Sequence, residues 1–159
     1  MRLKSFLFGF LAFVLLSVAT AQVSVELFKN LKPRNIGPAN MGGRITDIEG
    51  VPGNPLMVYV GTATGGLWKT TNGGISWTPL FDEQETQTIG DIALDPQNPE
   101  VVWVGTGEGN PRNSISVGAG IYRSRDGGKT WEYLGLREAR QITRIIVHPR
   151  DPNTVWVAA

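Results

Sequence analysis

The sequence has no cysteine and only one histidine among its 159 residues. The lack of cysteine excludes disulfide bonds and every zinc site built on thiolates, so the fold must depend on packing and strand pairing. His148 precedes Pro149, where a strand is about to turn, and one imidazole cannot make a metal site by itself. The sequence therefore implies no metal site, and no motif in it implies an organic cofactor.

The chain also lacks a long apolar run and a basic cluster. The apolar stretch from residue 6 to residue 16 has 11 residues, well short of the roughly 20 that a membrane-spanning helix needs. It follows Arg2 and Lys4 and precedes Ala19-Thr20-Ala21, a pattern that indicates a signal peptide, residues 1–21, rather than an uncleaved anchor. We expect a secreted or periplasmic protein with no membrane span after cleavage.

The charge of the remaining chain argues against two classes of partner. Residues 22–159 carry 13 Lys and Arg against 14 Asp and Glu, without a basic cluster. A chain with nearly equal numbers of basic and acidic residues and no basic cluster lacks the positively charged surface that binds nucleic acid or an anionic membrane.

Glycine and proline are abundant, at 20 and 10 residues, and they separate short alternating apolar segments. This pattern is typical of many short strands joined by turns. One unit recurs: an Ile-x-x-Ile strand, a Pro-x-Asn/Asp-Pro turn and a second strand with an aromatic residue. The three units start at Ile45, Ile89 and Ile142.

The most specific motif is the run at residues 124–131, Ser-Arg-Asp-Gly-Gly-Lys-Thr-Trp. Residues 70–77 repeat it with Thr in place of Ser, Asn in place of Asp and Ser in place of Thr. The Asp or Asn side chain and the hydroxyl side chains can form hydrogen bonds with the main-chain N–H groups of a tight turn, and the glycines supply the residues with positive φ. We therefore predict two structural hairpins. Their defining residues are Thr70, Asn72, Gly74, Ser76, Trp77, Ser124, Asp126, Gly128, Thr130 and Trp131.

This pattern resembles the Asp-box, or bacterial neuraminidase repeat, of sialidases, xyloglucan-cleaving glucanases and sortilin-type receptors. The resemblance implies an all-β fold, a β-propeller of four-stranded antiparallel blades with Asp-box hairpins. Residues 22–159 are predicted to form a partial propeller with blade units at about 43–80, 87–134 and 140–159, the last incomplete. Because a propeller usually has four or more blades, we interpret the chain as the N-terminal fragment of a longer one.

A long polar loop carries the candidate binding residues. In the first unit five residues lie between the Gly-Thr that closes the second strand and the aromatic residue of the third, but in the second unit fifteen do, and this insertion lies on the open face of the propeller. Rigid scaffolds commonly place ligand contacts on such loops. We predict ligand-binding roles for Arg44, Glu108, Asn110, Arg112 and Asn113, the alternative being that Asn and Arg only tie the loop to its own backbone.

The repeat comparison also predicts a contact between blades. Asp47, Asp91 and Arg144 share one position in the inner strands of the three units. We expect Asp91 and Arg144 to pair across neighbouring blades, which is a structural role.

The sequence favours a binding function over a hydrolase, and both remain open at this stage. Stretches such as 35–38, 42–45 and 104–108 look like the N-terminal part of exported bacterial proteins related to the sortilin propeller, which implies a binding module or scaffold with a protein, peptide or carbohydrate ligand. The alternative is a glycoside hydrolase, xyloglucanase-like or sialidase-like, with catalytic residues mostly beyond Ala159. Xyloglucan-cleaving relatives carry a catalytic Asp where this chain has Ala63. We therefore predict no catalytic residue within the chain.

Overall fold

The computed structural model describes residues 44–111 and 113–159, together with Ser24, Glu26 and Lys29. The predicted signal peptide, the stretch 35–43 and Arg112 lie outside the described residues. The chain divides after Arg34 into two units, and in the first of them Lys29 and Glu26 form an exposed ion pair at 2.7 Å. Within the described residues, no helix is long and apolar enough to cross a membrane.

The described part of the second unit contains ten strands in three antiparallel sheets, with neighbouring strands in chain order. The first sheet has β1 (Ile45–Val51), β2 (Asn54–Thr62), β3 (Leu67–Thr70) and β4 (Thr78–Pro79); the second has β5 (Ile89–Leu94), β6 (Val102–Thr106), β7 (Ile121–Ser124) and β8 (Glu132–Gly135); the third has β9 (Arg144–His148) and β10 (Asp151–Ala158). The predicted fold class is confirmed: two complete four-stranded blades and part of a third.

The blades pack through an isoleucine that is seated against a glycine of the preceding blade. A Cβ added to Gly61 would lie 2.6 Å from Ile89 Cγ2, and one added to Gly105 would lie 2.4 Å from Ile142 Cγ2. Both isoleucines are fully buried in the two apolar clusters that join the blades. Only glycine leaves room for this approach, so the Val-Gly-Thr ending of the second strand positions the next blade.

Inner-strand carboxylates make a second, polar connection between blades. Asp47 Oδ2 accepts a hydrogen bond from Ile92 N at 2.7 Å, and Asp91 Oδ2 accepts one from Ile145 N at 2.6 Å. Arg144 Nη1 lies 3.6 Å from Asp91 Oδ1, which confirms the predicted pairing across neighbouring blades. Burial raises the pKa of the Asp91 carboxyl, against the opposing effect of the hydrogen bond from Ile145.

The Asp126 carboxylate closes the hairpin at 124–131 through hydrogen bonds. Asp126 Oδ1 accepts hydrogen bonds from Lys129 N at 3.0 Å and Thr130 N at 2.9 Å, while Oδ2 accepts one from Thr130 Oγ1 at 2.6 Å. Hydrogen bonds from Thr130 and then Ser124 hold the pKa of this carboxyl far below its ordinary value. At the end of the hairpin Trp131 Nε1 donates to Leu80 O of the first blade at 2.8 Å, so the turn also joins two blades.

Candidate functional site

The polar insertion of the second blade is held tightly at its base. Gly107 N donates to Thr88 O at 3.1 Å, and Gly118 N donates to Arg140 O at 2.8 Å. Gly107 has a φ of 95°, and a Cβ there would lie 2.2 Å from Arg140 O. Glycine alone fits this conformation and this approach, so Gly107 fixes the first end of the loop. The hydrogen bond from Gly118 holds the second end, while Asn110 and Asn113 between them are exposed.

Two of the predicted binding residues contact each other across the first two blades. Arg44 Nη2 donates a short hydrogen bond to Glu108 Oε1, and the two side chains form an ion pair. The Glu108 side chain is 1% exposed, whereas that of Arg44 is 42% exposed. Glu108 therefore lies beneath Arg44 and neutralises it, while Arg44 keeps a face toward solvent.

Arg44 also lines a cavity of about 470 Å³, together with Asn110, Pro111 and Asn113. The structure thus brings Arg44, Asn110 and Asn113 to one place. Arg112 stands between two lining residues in the sequence and lies outside the described part of the chain. Glu108 contributes to this site through its ion pair with Arg44.

The two asparagines of the loop have unpaired amide side chains among the described residues. Asn110 and Asn113 are exposed, and among the described residues neither amide side chain has a hydrogen-bond partner. A primary amide offers two donors and one acceptor oxygen, so the two asparagines supply donors and acceptors beside the Arg44 guanidinium.

The described part of the site offers binding groups rather than a pair of acids. None of the four described residues that line the cavity carries a carboxylate. Ala63 is fully buried, and its N–H donates to Arg44 O at 2.8 Å. Among the described residues, no group of three or more His, Asp or Glu side chains could hold a metal ion.

Thr88 is a residue of this region that the sequence analysis missed. Arg44 O accepts from Ala63 N at 2.8 Å and Thr88 O accepts from Gly107 N at 3.1 Å, so the two residues hold equivalent positions in successive blades. Thr88 is 4% exposed, and its hydroxyl has no hydrogen-bond partner within the described residues. Alignment of the residue before Ile45 with the residue before Ile89 would have found it.

Comparisons with known proteins give similarity to glycoside hydrolases. No family model matches the chain. Xyloglucanase Xgh74A of Acetivibrio thermocellus is 34% identical over 98 residues, covering 51% of this chain and 11% of that protein. A xyloglucanase of Hypocrea jecorina is 29% identical over 142 residues, covering 79% of this chain and 16% of that protein. The chain thus spans between 11% and 16% of the length of these two relatives.

Solved structures agree on the fold. An ancestral GH74 enzyme superposes with a TM-score of 0.59 at 24% identity, over 72% of this chain and 16% of that one. The GH74 enzyme of Niastella koreensis gives a TM-score of 0.50 at 23% identity, over 67% of this chain and 16% of that one. The similarity to the two xyloglucanases, rather than these structures, supports the hydrolase alternative of the sequence analysis better than the binding module related to sortilin.

Proposed function

We propose that the chain contributes a glycan-binding site to a β-propeller of the glycoside-hydrolase kind. The observation that carries this proposal is the cavity on the insertion loop, where Arg44, Asn110 and Asn113 present hydrogen-bonding groups with no competing partner among the described residues, apart from the Arg44–Glu108 ion pair. Sugar hydroxyls donate and accept, and such mixed groups match them. The similarity to xyloglucanases supports a carbohydrate as the ligand.

Glu108 has a positioning role in this proposal. An arginine side chain loses much rotamer freedom when a ligand immobilises it, which weakens binding. The ion pair with the buried Glu108 restricts the guanidinium before a ligand arrives. Arg44 therefore contacts the ligand, and Glu108 fixes the orientation of the Arg44 guanidinium.

The catalytic step, in this proposal, uses carboxylates from outside the described residues. Glycoside hydrolysis generally needs two carboxyl groups on either side of the bond. Ala63 has no carboxyl group, and Glu108 is buried and paired with Arg44. The described residues therefore supply substrate binding to the intact protein, not its acid and base.

Titration calorimetry with the intact protein tests the binding site. Xyloglucan, a mixed-linkage β-glucan and a sialylated oligosaccharide serve as probes. Asn110→Ala and Asn113→Ala should each weaken binding of the recognised glycan about fivefold, since each removes one hydrogen bond. Lys129→Ala, in the hairpin on the opposite face, is the control. Unchanged affinity in both asparagine variants, or no binding of any glycan, would refute the proposal.

Two further measurements address the rest of the proposed function. Release of reducing sugar by the intact protein tests hydrolysis separately from binding. Because polysaccharides of this kind are extracellular, the proposal includes export with loss of residues 1–21. N-terminal sequencing of the mature protein should then start at Gln22, and a retained Met1 would contradict cleavage.

A further inference from the structure

The two hairpins form the same turn with different chemistry at one position. Asn72 Oδ1 accepts from Ser76 N at 2.9 Å, as Asp126 Oδ1 accepts from Thr130 N at 2.9 Å. Asn72 Nδ2 donates to Ser76 Oγ at 2.8 Å, whereas Asp126 Oδ2 accepts from Thr130 Oγ1 at 2.6 Å. An aspartate at 72 would need only the hydroxyl of Ser76 to rotate and donate.

Asn72 is also followed by Gly73, and this is the one Asn-Gly pair in the sequence. In such a pair the glycine amide nitrogen can attack the asparagine side-chain carbonyl carbon, because no Cβ shields it. A carbon–nitrogen bond forms, the bond to the side-chain nitrogen breaks, and ammonia leaves with the proton, giving a cyclic imide. Water then opens the ring, leaving aspartate if the new bond breaks and isoaspartate if the original peptide bond breaks.

The closed hairpin opposes the first step. Gly73 N donates to Leu56 O at 2.9 Å, so its nitrogen is engaged. The Asn72 side chain is held by Thr70 Oγ1 at 3.0 Å and by both the nitrogen and the hydroxyl of Ser76. The imide can therefore form only when the hairpin opens.

The first hairpin is less crowded at its first glycine than the second. A Cβ at Gly73 would meet Leu56 Cδ2 at 3.3 Å, whereas one at the equivalent Gly127 would lie 2.3 Å from Glu100 Oε2. Ile75 at the tip of the first hairpin is 87% exposed, so water reaches the turn.

We propose that Asn72 is a deamidation site controlled by opening of its hairpin, and that the hairpin accommodates the aspartate product as a complete Asp-box. We expect the aspartate at position 72 to form the same hydrogen bonds as Asp126 forms in its own hairpin. Isoaspartate adds a methylene to the main chain, so it cannot place the main-chain amides of residues 74–76 around the carboxylate as the Asp126 turn does.

Peptide mapping by mass spectrometry tests the proposal on the intact protein kept in mildly alkaline buffer. Loss of the Asn72 amide should be at least about tenfold faster in urea than in the native state, since the hairpin bonds are absent there. Ser76→Ala should speed the native reaction about fivefold, because one hydrogen bond to the amide is lost. Asn113, exposed and followed by Ser114, is the internal control, whose rate Ser76→Ala should not change.

Equal rates at Asn72 in the native protein and in urea, or equal rates in the wild type and Ser76→Ala, would overturn control by the hairpin. Asn72→Asp examines the product directly. This variant should melt at or above the wild-type temperature at neutral pH, as the Asp126 turn predicts. A clearly lower melting temperature would show that the aspartate does not fit.

Discussion

The difference in burial between Arg44 and Glu108 predicts that replacing one of them destabilises the protein more than replacing the other. Arg44→Met leaves a carboxylate that is 1% exposed without its counter-charge. Glu108→Gln leaves a guanidinium on a side chain that is 42% exposed, and the glutamine oxygen can still accept its hydrogen bond. The first variant should therefore lose much more stability than the second.

The expected sizes follow from burial. Removing one partner of a fully buried pair costs roughly 3–5 kcal/mol, and the partial exposure of Arg44 places Arg44→Met near the lower end, at about 3 kcal/mol. Glu108→Gln should cost about 1 kcal/mol, the net value of one hydrogen bond. Replacing both residues, as in Arg44→Met with Glu108→Leu, should be within about 1 kcal/mol of the wild type, because no buried charge remains.

Urea unfolding followed by tryptophan fluorescence measures the three variants, and calorimetry with the recognised glycan measures binding. The double variant should recover stability but not affinity, which separates folding from ligand contact. Equal costs for Arg44→Met and Glu108→Gln would refute the burial argument. Wild-type affinity in the double variant would refute the role of Arg44 in binding.

The remaining predictions concern the blade interface, the hairpins and the unpaired hydroxyl. Gly105→Ala should lower the free energy of unfolding in urea by about 1–3 kcal/mol, because its Cβ would lie 2.4 Å from Ile142 Cγ2. Combining it with Ile142→Ala should cost less than the sum of the two single changes. Additive costs would contradict this contact. The depressed pKa of Asp126 means that its stabilising effect is present above its unfolded-state pKa of about 4 and is lost as pH falls through the lower, folded-state value. Asp126→Asn, with Asn72 as its precedent, should therefore lose less melting temperature between neutral and acidic pH than the wild type; equal losses would argue against this linkage. Thr88→Val should keep or raise the melting temperature, since its buried hydroxyl has no partner in the described residues, and a lower value would mean that the hydroxyl is bonded.

The repeats made the fold predictable. Strand sequences, turn residues and hairpins recur in the same order, so each unit supports the interpretation of the others. Comparing the first two units also located the insertion after Thr106, and comparing all three units located the inter-blade partner of Asp91. These features depend on repeated local patterns, which a single sequence contains.

The internal arrangement of the site was not predictable in the same way. Nothing local indicates that Glu108 is buried or that Arg44 is its partner, because these residues are distant in sequence and meet only when two blades pack. Thr88 was missed for a similar reason, since a threonine before a strand is unremarkable until its position is compared with that of Arg44. The sequence analysis also preferred binding to hydrolysis, and a β-propeller fold cannot decide between the two.

The carboxylates of Asp47 and Asp91 also bear on how such a chain can grow by duplication. Each carboxylate accepts a hydrogen bond from a main-chain N–H of the next blade, at Ile92 and at Ile145. Every residue except proline has that N–H, so a copied unit carries its half of the connection and needs no matching change in its neighbour. Gene duplication can thus lengthen the array in one step.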